Sequence, residues 1–391
     1  MKLVVIGLGQ CGGRVADEFA RLNRRAATQR RIEIITGTFA VNTDATDLSG
    51  LTAIKRDYQH RILIGGRKTG GHGVGKINEL GAEVAREDAD KVIDAIRVTK
   101  RFYETDAFLL IAGAGGGTGS GAAPVLMQHI KERYRDKPVY ACIVLPFEHE
   151  EQTEERTTYN TATCLKSTYS VADAVFLIDN QRYIRKDSSL RNNLAKINAL
   201  IAEPFYSLLC AGEEKRPKYI GAKVLDAGDI MQTLVGWTVI GYGSSALPLI
   251  RFPGERTRDF RKKGIETQKG IQAMDAAISE LSLRCDPADA RRALYLISAP
   301  SREMNVDLIK ELGDYLRSVT PQAIIRNGDY PREKGSLDVT VILSELSDVE
   351  KIRYYYTKST NLIPEVKRRQ EETVSRLQAI EDASKDIPSL L

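Results

Sequence analysis

Apolar runs alternate with helical patterns through the first half of the chain. The runs occupy residues 2–6, 32–42, 107–113, 138–147 and 172–179. Between them, apolar side chains recur at helical spacing over 15–22, 76–101, 125–134 and 157–167. Apolar runs that do not alternate with polar residues are typical of strands buried on both faces. The pattern therefore predicts an α/β fold, a parallel sheet with helices on both sides, whose ligand binds at the carboxyl ends of the strands.

The second half of the chain has a different pattern. A helical stripe begins at Leu190 and continues beyond Pro204, where we expect a kink or a restart. After about residue 230 a helical pattern at 304–319 and an alternating strand at 336–343 predict a mixed α/β domain. The last thirty residues have the pattern of a charged helix. We expect four parts: a sheet domain at 1–188, a connecting helix and loop at 189–229, a mixed domain at 230–350, and a C-terminal helix and tail at 351–391.

Composition narrows the possible functions. The 391 residues carry a net charge of only +5, with acidic residues close to the basic ones, so we expect no nucleic-acid binding. The five cysteines are widely spaced and the four histidines are never at metal-ligand spacing, so we expect reduced thiols and no protein-held metal site. Two long uncharged windows, 107–128 and 230–250, contain too many glycines for membrane spans. The chain starts directly with a strand and without a signal peptide, so we expect a cytoplasmic protein.

The first glycine-rich segment runs from Gly7 to Gly12 and fits G-x-G-x-x-G between a strand and a helix. That motif suits a dinucleotide pyrophosphate on a helix N-terminus. An acidic residue for the ribose is then expected at the end of the second strand, about 20 residues beyond the motif. The strand ends later, in Asn42-Thr43-Asp44. An NAD(P)-dependent Rossmann oxidoreductase therefore remains an alternative hypothesis.

Two further segments are rich in glycine. Residues 70–76 nearly match the P-loop pattern, but Ile77 replaces the Ser or Thr that would hold Mg²⁺. Residues 113–121 read GAGGGTGSG between a strand and a helix. This number of glycines exceeds what one turn needs, and it suits backbone N–H groups that approach a phosphate closely.

The motifs together resemble the tubulin/FtsZ superfamily of GTPases. The segment GGGTGSG at 115–121 resembles the signature loop of that family, and GQCGG at 9–13 resembles its first nucleotide loop. Asn42-Thr43-Asp44 is similar to the second loop, and GHGVG at 71–75 to the third. The resemblance covers the whole chain and looks nearest to the archaeal CetZ group, through GHGVG, the segment 164–184 and VLDAGDI at 224–230.

The resemblance implies a tubulin/FtsZ fold: a Rossmann-like GTPase domain, a long connecting helix and a mixed α/β domain. It implies GTP/GDP and Mg²⁺ as ligands and a head-to-tail homopolymer, with a role in archaeal cell shape or division. The implied nucleotide-binding residues are Gly9, Gln10, Cys11, Gly12, Asn42, Asp44, Gly73, Val74, Gly75, Ala114, Gly115, Gly116, Gly117, Thr118, Gly119, Glu150, Asn180 and Asn198. Among these, the resemblance implies that Glu150 contacts the ribose and Asn180 the guanine.

The resemblance also implies that Asp226 and Asp229 are catalytic, in a loop that completes the site of the next subunit. Val224 replaces the asparagine of the FtsZ version of this loop. Without the resemblance, the two aspartates indicate a helix N-terminus, where Asp is favoured as a cap. A further alternative is a nucleotide-binding polymer without efficient hydrolysis. The chain ends in neither a linker nor an acidic run, so we expect no adaptor docking of the FtsZ type.

Overall fold

A computed structural model describes residues 1–184, 190–247 and 260–362, together with 364 and 368. The strands are β1 Leu3–Leu8, β2 Ile35–Asn42, β3 Arg61–Leu63, β4 Ala107–Gly113, β5 Val139–Leu145, β6 Ala174–Asp179, β7 Gly236–Ala246, β8 Arg292–Ala299, β9 Ile324–Pro331 and β10 Ser336–Leu346. The helices are α1 Gly9–Arg30, α2 Ala45–Ser49, α3 Gly66–Thr69, α4 Asn78–Glu87, α5 Ala89–Arg97, α6 Thr118–Arg133, α7 Glu148–Thr153, α8 Glu155–Val171, α9 Leu190–Ala211, α10 Ala227–Thr233, α11 Phe260–Ser279 and α12 Val306–Val319. A further helix occupies 350–362.

The strands form one ten-stranded sheet in the order β3-β2-β1-β4-β5-β6-β7-β10-β8-β9. The pairs from β3 to β7 are parallel, whereas β10 runs antiparallel to both β7 and β8. The predicted sheet domain and the predicted mixed domain thus share a single sheet. Their junction is short, because β6 and β7 pair only at Ala174–Gly236, Val175–Trp237 and Phe176–Thr238. Helices cover both faces of the sheet, which confirms the predicted fold class.

One local prediction needs correction, and a second needs correction in part. The helical pattern over 76–101 is two helices, α4 and α5, because the chain breaks at Asp88. The Asp88 carboxylate there accepts a hydrogen bond from the Gly65 N–H at 2.7 Å. Of the two outcomes expected at Pro204, a restart is excluded because α9 continues through that residue to Ala211, whereas the kink stays a prediction. The predicted charged helix at the end of the chain lies almost entirely outside the described residues.

Helix α9 packs against the sheet and α1 through a buried apolar face that includes Ile197, Ile201 and Phe205. Within the described ranges, one helical segment, Asn193–Ala211, is long and apolar enough to cross a membrane by composition. This segment is part of α9 and is mostly buried, as is typical of a core helix. The two uncharged windows are β4 with α6, and α10 with β7, as far as the described residues extend.

Candidate functional site

A cavity of about 350 Å³ lies where β1, β2, β4, β5 and β6 end. Cavities of this size are typical of small-molecule sites. The N-termini of α1 and α6 lie next to each other at the cavity, where a Cβ on Gly9 would lie 3.0 Å from the Gly119 nitrogen, and α9 forms another part of the wall. The carboxyl edge of the parallel strands is therefore the binding edge, as the order of elements predicts.

Most of the expected nucleotide-binding residues surround this cavity. Those that line it are Gly9, Gln10, Cys11, Asn42, Asp44, Gly73, Gly115, Gly116, Gly117, Thr118, Gly119, Glu150, Asn180 and Asn198. They come from six short segments and from α9, which are far apart in the sequence. The fold therefore brings these separate motifs to one place.

Four of the expected residues do not line the cavity. Gly12 and Ala114 are buried behind its wall: a Cβ on Gly12 would lie 2.0 Å from the Ile111 carbonyl oxygen, and the Ala114 N–H donates to Val144. Val74 is buried against the glycine loop, and Gly75 is exposed with φ +55°. These residues shape the wall rather than face the ligand space.

The glycine loop, residues 113–121, has two kinds of glycine. A Cβ on any of five of them would lie between 2.0 and 3.0 Å from a neighbouring atom: Gly113, Gly115, Gly117, Gly119 and Gly121. Close packing therefore accounts for the missing side chains of these five, and the expectation that the loop approaches a phosphate stays a prediction. Gly116 is different, because a Cβ there would meet no described atom within 4 Å although the residue lines the cavity. Packing does not explain its missing side chain, whereas close approach of a ligand does.

Two helix N-termini open into the cavity. No described side chain caps α1 or α6, and the first turn of each holds no acidic residue. The first N–H groups of a helix have no partner within it, and the helix dipole places partial positive charge at the same end. With 22 and 16 residues, these helices present converging donors to an anion.

Two cations at the cavity were missed by sequence reasoning. Arg14 lies on α1, two residues beyond the glycine-rich segment Gly7–Gly12. Lys76 is the last residue of the glycine-rich segment 70–76. Lys76 has φ 60°, unusual for a residue with a side chain, and its Nζ lies 2.6 Å from Glu154 and 3.2 Å from Thr157. The near-match of residues 70–76 to the P-loop pattern could have identified Lys76 as a cation at the site, but it was interpreted only as an incomplete P-loop.

Asn160 on α8 connects the two phosphate-side loops. Its side-chain N–H₂ donates to the carbonyls of Lys76 at 2.9 Å, Gly116 at 3.0 Å and Gly115 at 3.3 Å. The side chain is fully buried. It holds these three carbonyl oxygens on the α8 side of the loops. No sequence motif marks this residue.

Acidic side chains form another part of the wall. Asp44 caps α2 through Oδ1, while Asp47 accepts hydrogen bonds from Gln10 at 2.7 Å and Asn42 at 3.2 Å. Glu150 accepts from the Phe147 N–H at 2.9 Å. Within the described ranges, no group of three or more His, Cys, Asp or Glu side chains could hold a metal ion by itself.

Another part of the cavity wall is uncharged. Asn180 and Asn198 line it together with Phe147, Leu194 and Ile197, and α9 contacts the turn that carries Asn180. Cys11 also lines the cavity, and burial raises the pKa of its thiol to about 12. A neutral thiol of this kind fills space and is no nucleophile.

The two expected catalytic aspartates lie elsewhere. Asp226 caps α10 by accepting from the Asp229 N–H at 2.9 Å, as a helix N-terminus predicts. Asp229 lies 3.6 Å from the Arg326 guanidinium. The backbone next to Asp226 packs against Gly212, which follows the last residue of α9.

The aspartates and the cavity are therefore at opposite ends of α9. From Asn198, which lines the cavity, to Ala211 the helix rises by about 20 Å. Strand β1 gives an independent measure: it starts beside Leu209, whose carbonyl binds the Met1 amino group, and it ends at the cavity about 20 Å away. One chain therefore does not bring Asp226 to its own cavity.

Comparisons with known proteins agree with this architecture. Residues 2–186 match the family model described as Tubulin/FtsZ family, GTPase domain, and residues 187–361 match Tubulin-like CetZ, C-terminal domain. Tubulin-like protein CetZ1 of Haloferax volcanii is 35% identical over 370 residues, covering 90% of each chain.

Two solved structures are similar over nearly the whole chain. CetZ1 from Haloferax volcanii, described as a GDP-bound monomer, has a TM-score of 0.78 and 32% identity, covering 92% of this chain and 99% of its own. CetZ2 from the same organism, described as a GTPγS-bound protofilament, has a TM-score of 0.80 and 29% identity, with 94% and 100% covered.

Proposed function

Because the chain belongs to the tubulin/FtsZ family of GTPases, with a CetZ-type C-terminal domain, we propose that its cavity binds GTP with Mg²⁺ and that head-to-tail assembly completes the hydrolytic site. The observation that carries the proposal is the pair of uncapped helix N-termini facing one cavity, with Gly116 open between them. That arrangement suits a polyphosphate.

The phosphates occupy the end formed by the first glycine loop and the glycine loop. Backbone N–H groups of α1 and α6 donate to phosphate oxygens, and Arg14 and Lys76 supply positive charge. Thr118 supports the same end, since its hydroxyl hydrogen-bonds to Thr43 at 2.6 Å. Asn160 keeps the carbonyls of Lys76 and Gly116 on the other side of the loops, so that N–H groups are free to face the ligand.

The guanosine occupies the other end. Asn180 and Asn198 each offer a donor and an acceptor, which suits the edge of a base, and Glu150 lies where a ribose would follow. We expect Asn180→Ala to lower GTP affinity by about tenfold and to reduce the preference for GTP over ATP. An unchanged GTP/ATP ratio in a competition titration would place the base elsewhere.

The acidic residues of the cavity fit a magnesium ion that shares its ligands with phosphate. Mg²⁺ usually keeps several waters and takes one or two carboxylates besides phosphate oxygens. Asp44 and Asp47 are the two aspartates that line the cavity, and Asp44 uses only Oδ1 to cap α2. The ion would neutralise developing charge on the phosphates.

Hydrolysis requires a group that orients water at the γ-phosphate, and we assign that role to Asp226 and Asp229 of a neighbouring subunit. In the reaction, water attacks phosphorus, the bond to the bridging oxygen breaks, and GDP and phosphate leave. A carboxylate that accepts a hydrogen bond from the water aligns it for attack. The distance along α9 supports a role in trans, and a contact between unlike ends of a molecule generates an open filament.

A mixing experiment tests this mechanism. Asp229→Ala keeps a complete cavity and loses the acidic side chain, whereas Gly116→Val keeps the acidic loop and loses the cavity. We expect little phosphate release from each alone and recovered release when the two are mixed. Wild-type turnover per subunit should also rise with protein concentration. No rescue on mixing, together with turnover that stays constant over a hundredfold dilution, would contradict catalysis in trans.

Family membership excludes the nicotinamide oxidoreductase and supports a cytoskeletal GTPase. It also supports our inferences of a cytoplasmic location and of a role in the shape or division of an archaeal cell. A filament assay by sedimentation with GTP, with GDP and without nucleotide tests assembly. Assembly with measurable but assembly-independent phosphate release would favour a polymer in which hydrolysis is incidental.

A further inference from the structure

The 350–362 helix has two stripes at helical spacing. One stripe is buried in the apolar core on one face of the sheet and includes Ile352 and Tyr355. The other is polar, with Lys351, Tyr354 and Lys358 three and four residues apart on one flank. None of these three residues lines the cavity; the polar flank contacts two acidic residues, Asp179 and Glu151, which precede and follow the cavity-lining residues Asn180 and Glu150 in the chain.

Lys351 binds the residue that precedes Asn180. Its Nζ lies 2.9 Å from Oδ2 of Asp179, which is almost fully buried. The other oxygen of Asp179 accepts the Gln181 N–H at 3.1 Å and so caps the short turn Asn180–Tyr183. The same carboxylate therefore joins the turn that carries Asn180 to the 350–362 helix.

Glu151 makes the second connection, next to Glu150. It is also nearly buried, and it accepts hydrogen bonds from the hydroxyls of Tyr355 and Tyr354, with the Lys358 ammonium 3.7 Å away. Burial raises the pKa of Tyr355, so its hydroxyl remains a donor. Helix α7, which carries both glutamates, is thereby held by the same helix as the Asn180 turn.

Two buried carboxylates held by one helix form a rigid connection. A buried charge is costly unless it is paired, so each acid keeps its partner and its loop in place. We propose that the 350–362 helix positions the guanosine end of the cavity, with Lys351 acting on Asn180 through Asp179 and Tyr355 acting on Glu150 through Glu151. This inference rests on the proposed function, because it takes that end of the cavity as the guanosine end.

The proposal separates the two ends of the nucleotide. The phosphate end depends on α1, α6 and Asn160. Among the described residues, no hydrogen bond joins α1, α6 or Asn160 to the 350–362 helix. Displacing the helix should therefore weaken recognition of the base while contacts to the phosphates persist.

The test uses full-length Lys351→Met, with Arg353→Met as the matched control. Arg353 is on the same helix, and its side chain is 68% exposed. It forms an ion pair with Asp348, which is also exposed. We expect Lys351→Met to lower GTP affinity by about tenfold and the GTP/ATP preference by a similar factor. Affinity for inorganic triphosphate, measured by competition, should stay within about twofold, and Lys351→Arg should restore the preference. Arg353→Met should match the wild type.

The outcomes separate the two proposals. If the wild type binds ATP as tightly as GTP, the assignment of the guanosine end is wrong. If the wild type prefers GTP and folded Lys351→Met keeps the same preference, the positioning role is wrong. An equal loss for GTP, ATP and triphosphate would indicate general destabilisation and also overturn it. If Lys351→Met fails to fold, Tyr355→Phe removes one hydroxyl only, and it should reduce GTP affinity more than triphosphate affinity.

Discussion

The cavity and the acidic loop, residues 224–229, lie at opposite ends of α9. They differ in whether a side chain caps the helix N-termini that they contain. At the acidic loop, the Asp226 carboxylate caps α10 by accepting a hydrogen bond from one of its first N–H groups, that of Asp229. At the cavity, no described side chain caps α1 or α6, and Gly116 leaves the space before α6 open. One end therefore has donors that require an anion, and the other has exposed carboxylates.

This difference explains why each end alone is incomplete. The cavity has cations and N–H groups that suit phosphate. Its carboxylates, those of Asp44, Asp47 and Glu150, accept hydrogen bonds from neighbouring groups of the same chain. The acidic loop has carboxylates and no cavity within about 20 Å along α9. On the proposed mechanism, a second copy placed end to end would supply the carboxylates that the cavity of the first copy lacks.

We expect the largest effect from a substitution that disrupts only the cavity. Gly116→Val places a side chain where packing leaves space, and it should lower GTP affinity by about a hundredfold or more, since each hydrogen bond to a charged group contributes ~1.5–3 kcal/mol. Gly66→Val is the control, because a Cβ there also meets no described atom within 4 Å but Gly66 does not line the cavity. Calorimetry should find near wild-type affinity for the control. Equal affinity in both folded variants contradicts the phosphate assignment.

The next effect breaks the acidic loop alone. Asp226→Asn keeps a good helix cap and removes the charge, so α10 should remain stable. We expect GTP binding to persist and hydrolysis per assembled subunit to fall ~10²–10⁴-fold. Asp226→Ala removes cap and charge together. If Asn restores wild-type hydrolysis and Ala does not, the residue acts only as a cap.

A smaller effect concerns the scaffold of the cavity. Asn160→Ala removes donors to the carbonyls of Lys76, Gly115 and Gly116, and the freed carbonyls should lower affinity for triphosphate and GTP alike by about tenfold. The GTP/ATP ratio should stay constant, in contrast to Asn180→Ala. A changed ratio would mean that the two ends of the cavity are not independent.

The smallest effect at neutral pH concerns Cys11. With a pKa of about 12, its thiolate fraction at pH 8 is only about 10⁻⁴, so alkylation should be slow until the chain unfolds. The unfolded thiol titrates near its ordinary value, about 8.5, so above that pH the unfolded state binds fewer protons than the folded state. The Cys11 contribution to stability should therefore fall as pH rises from about 8.5 towards 12. Rapid alkylation of the folded protein at pH 8 would contradict this environment.

Sequence reasoning located the loops but not all the reasons for them. Glycines, amides and acidic residues at strand ends were visible because parallel strands bring their carboxyl ends together. The sequence could not distinguish Gly116, which is open to the cavity, from Gly121, where a Cβ would lie 2.0 Å from the Asn78 carbonyl oxygen. It also missed Asn160, because α8 reaches the glycine loop only through tertiary packing. Pairing of β7 with β6 was hidden for a similar reason, since periodicity identifies strands and not their neighbours.

The length of α9 also sets a dimension of the polymer. Its 22 residues span about 33 Å, and the cavity and the acidic loop lie near its two ends. If subunits stack with one end on the other and α9 lies along the filament axis, the axial repeat of the filament should exceed the length of this helix, about 33 Å. Layer-line spacing in filament images measures that repeat directly.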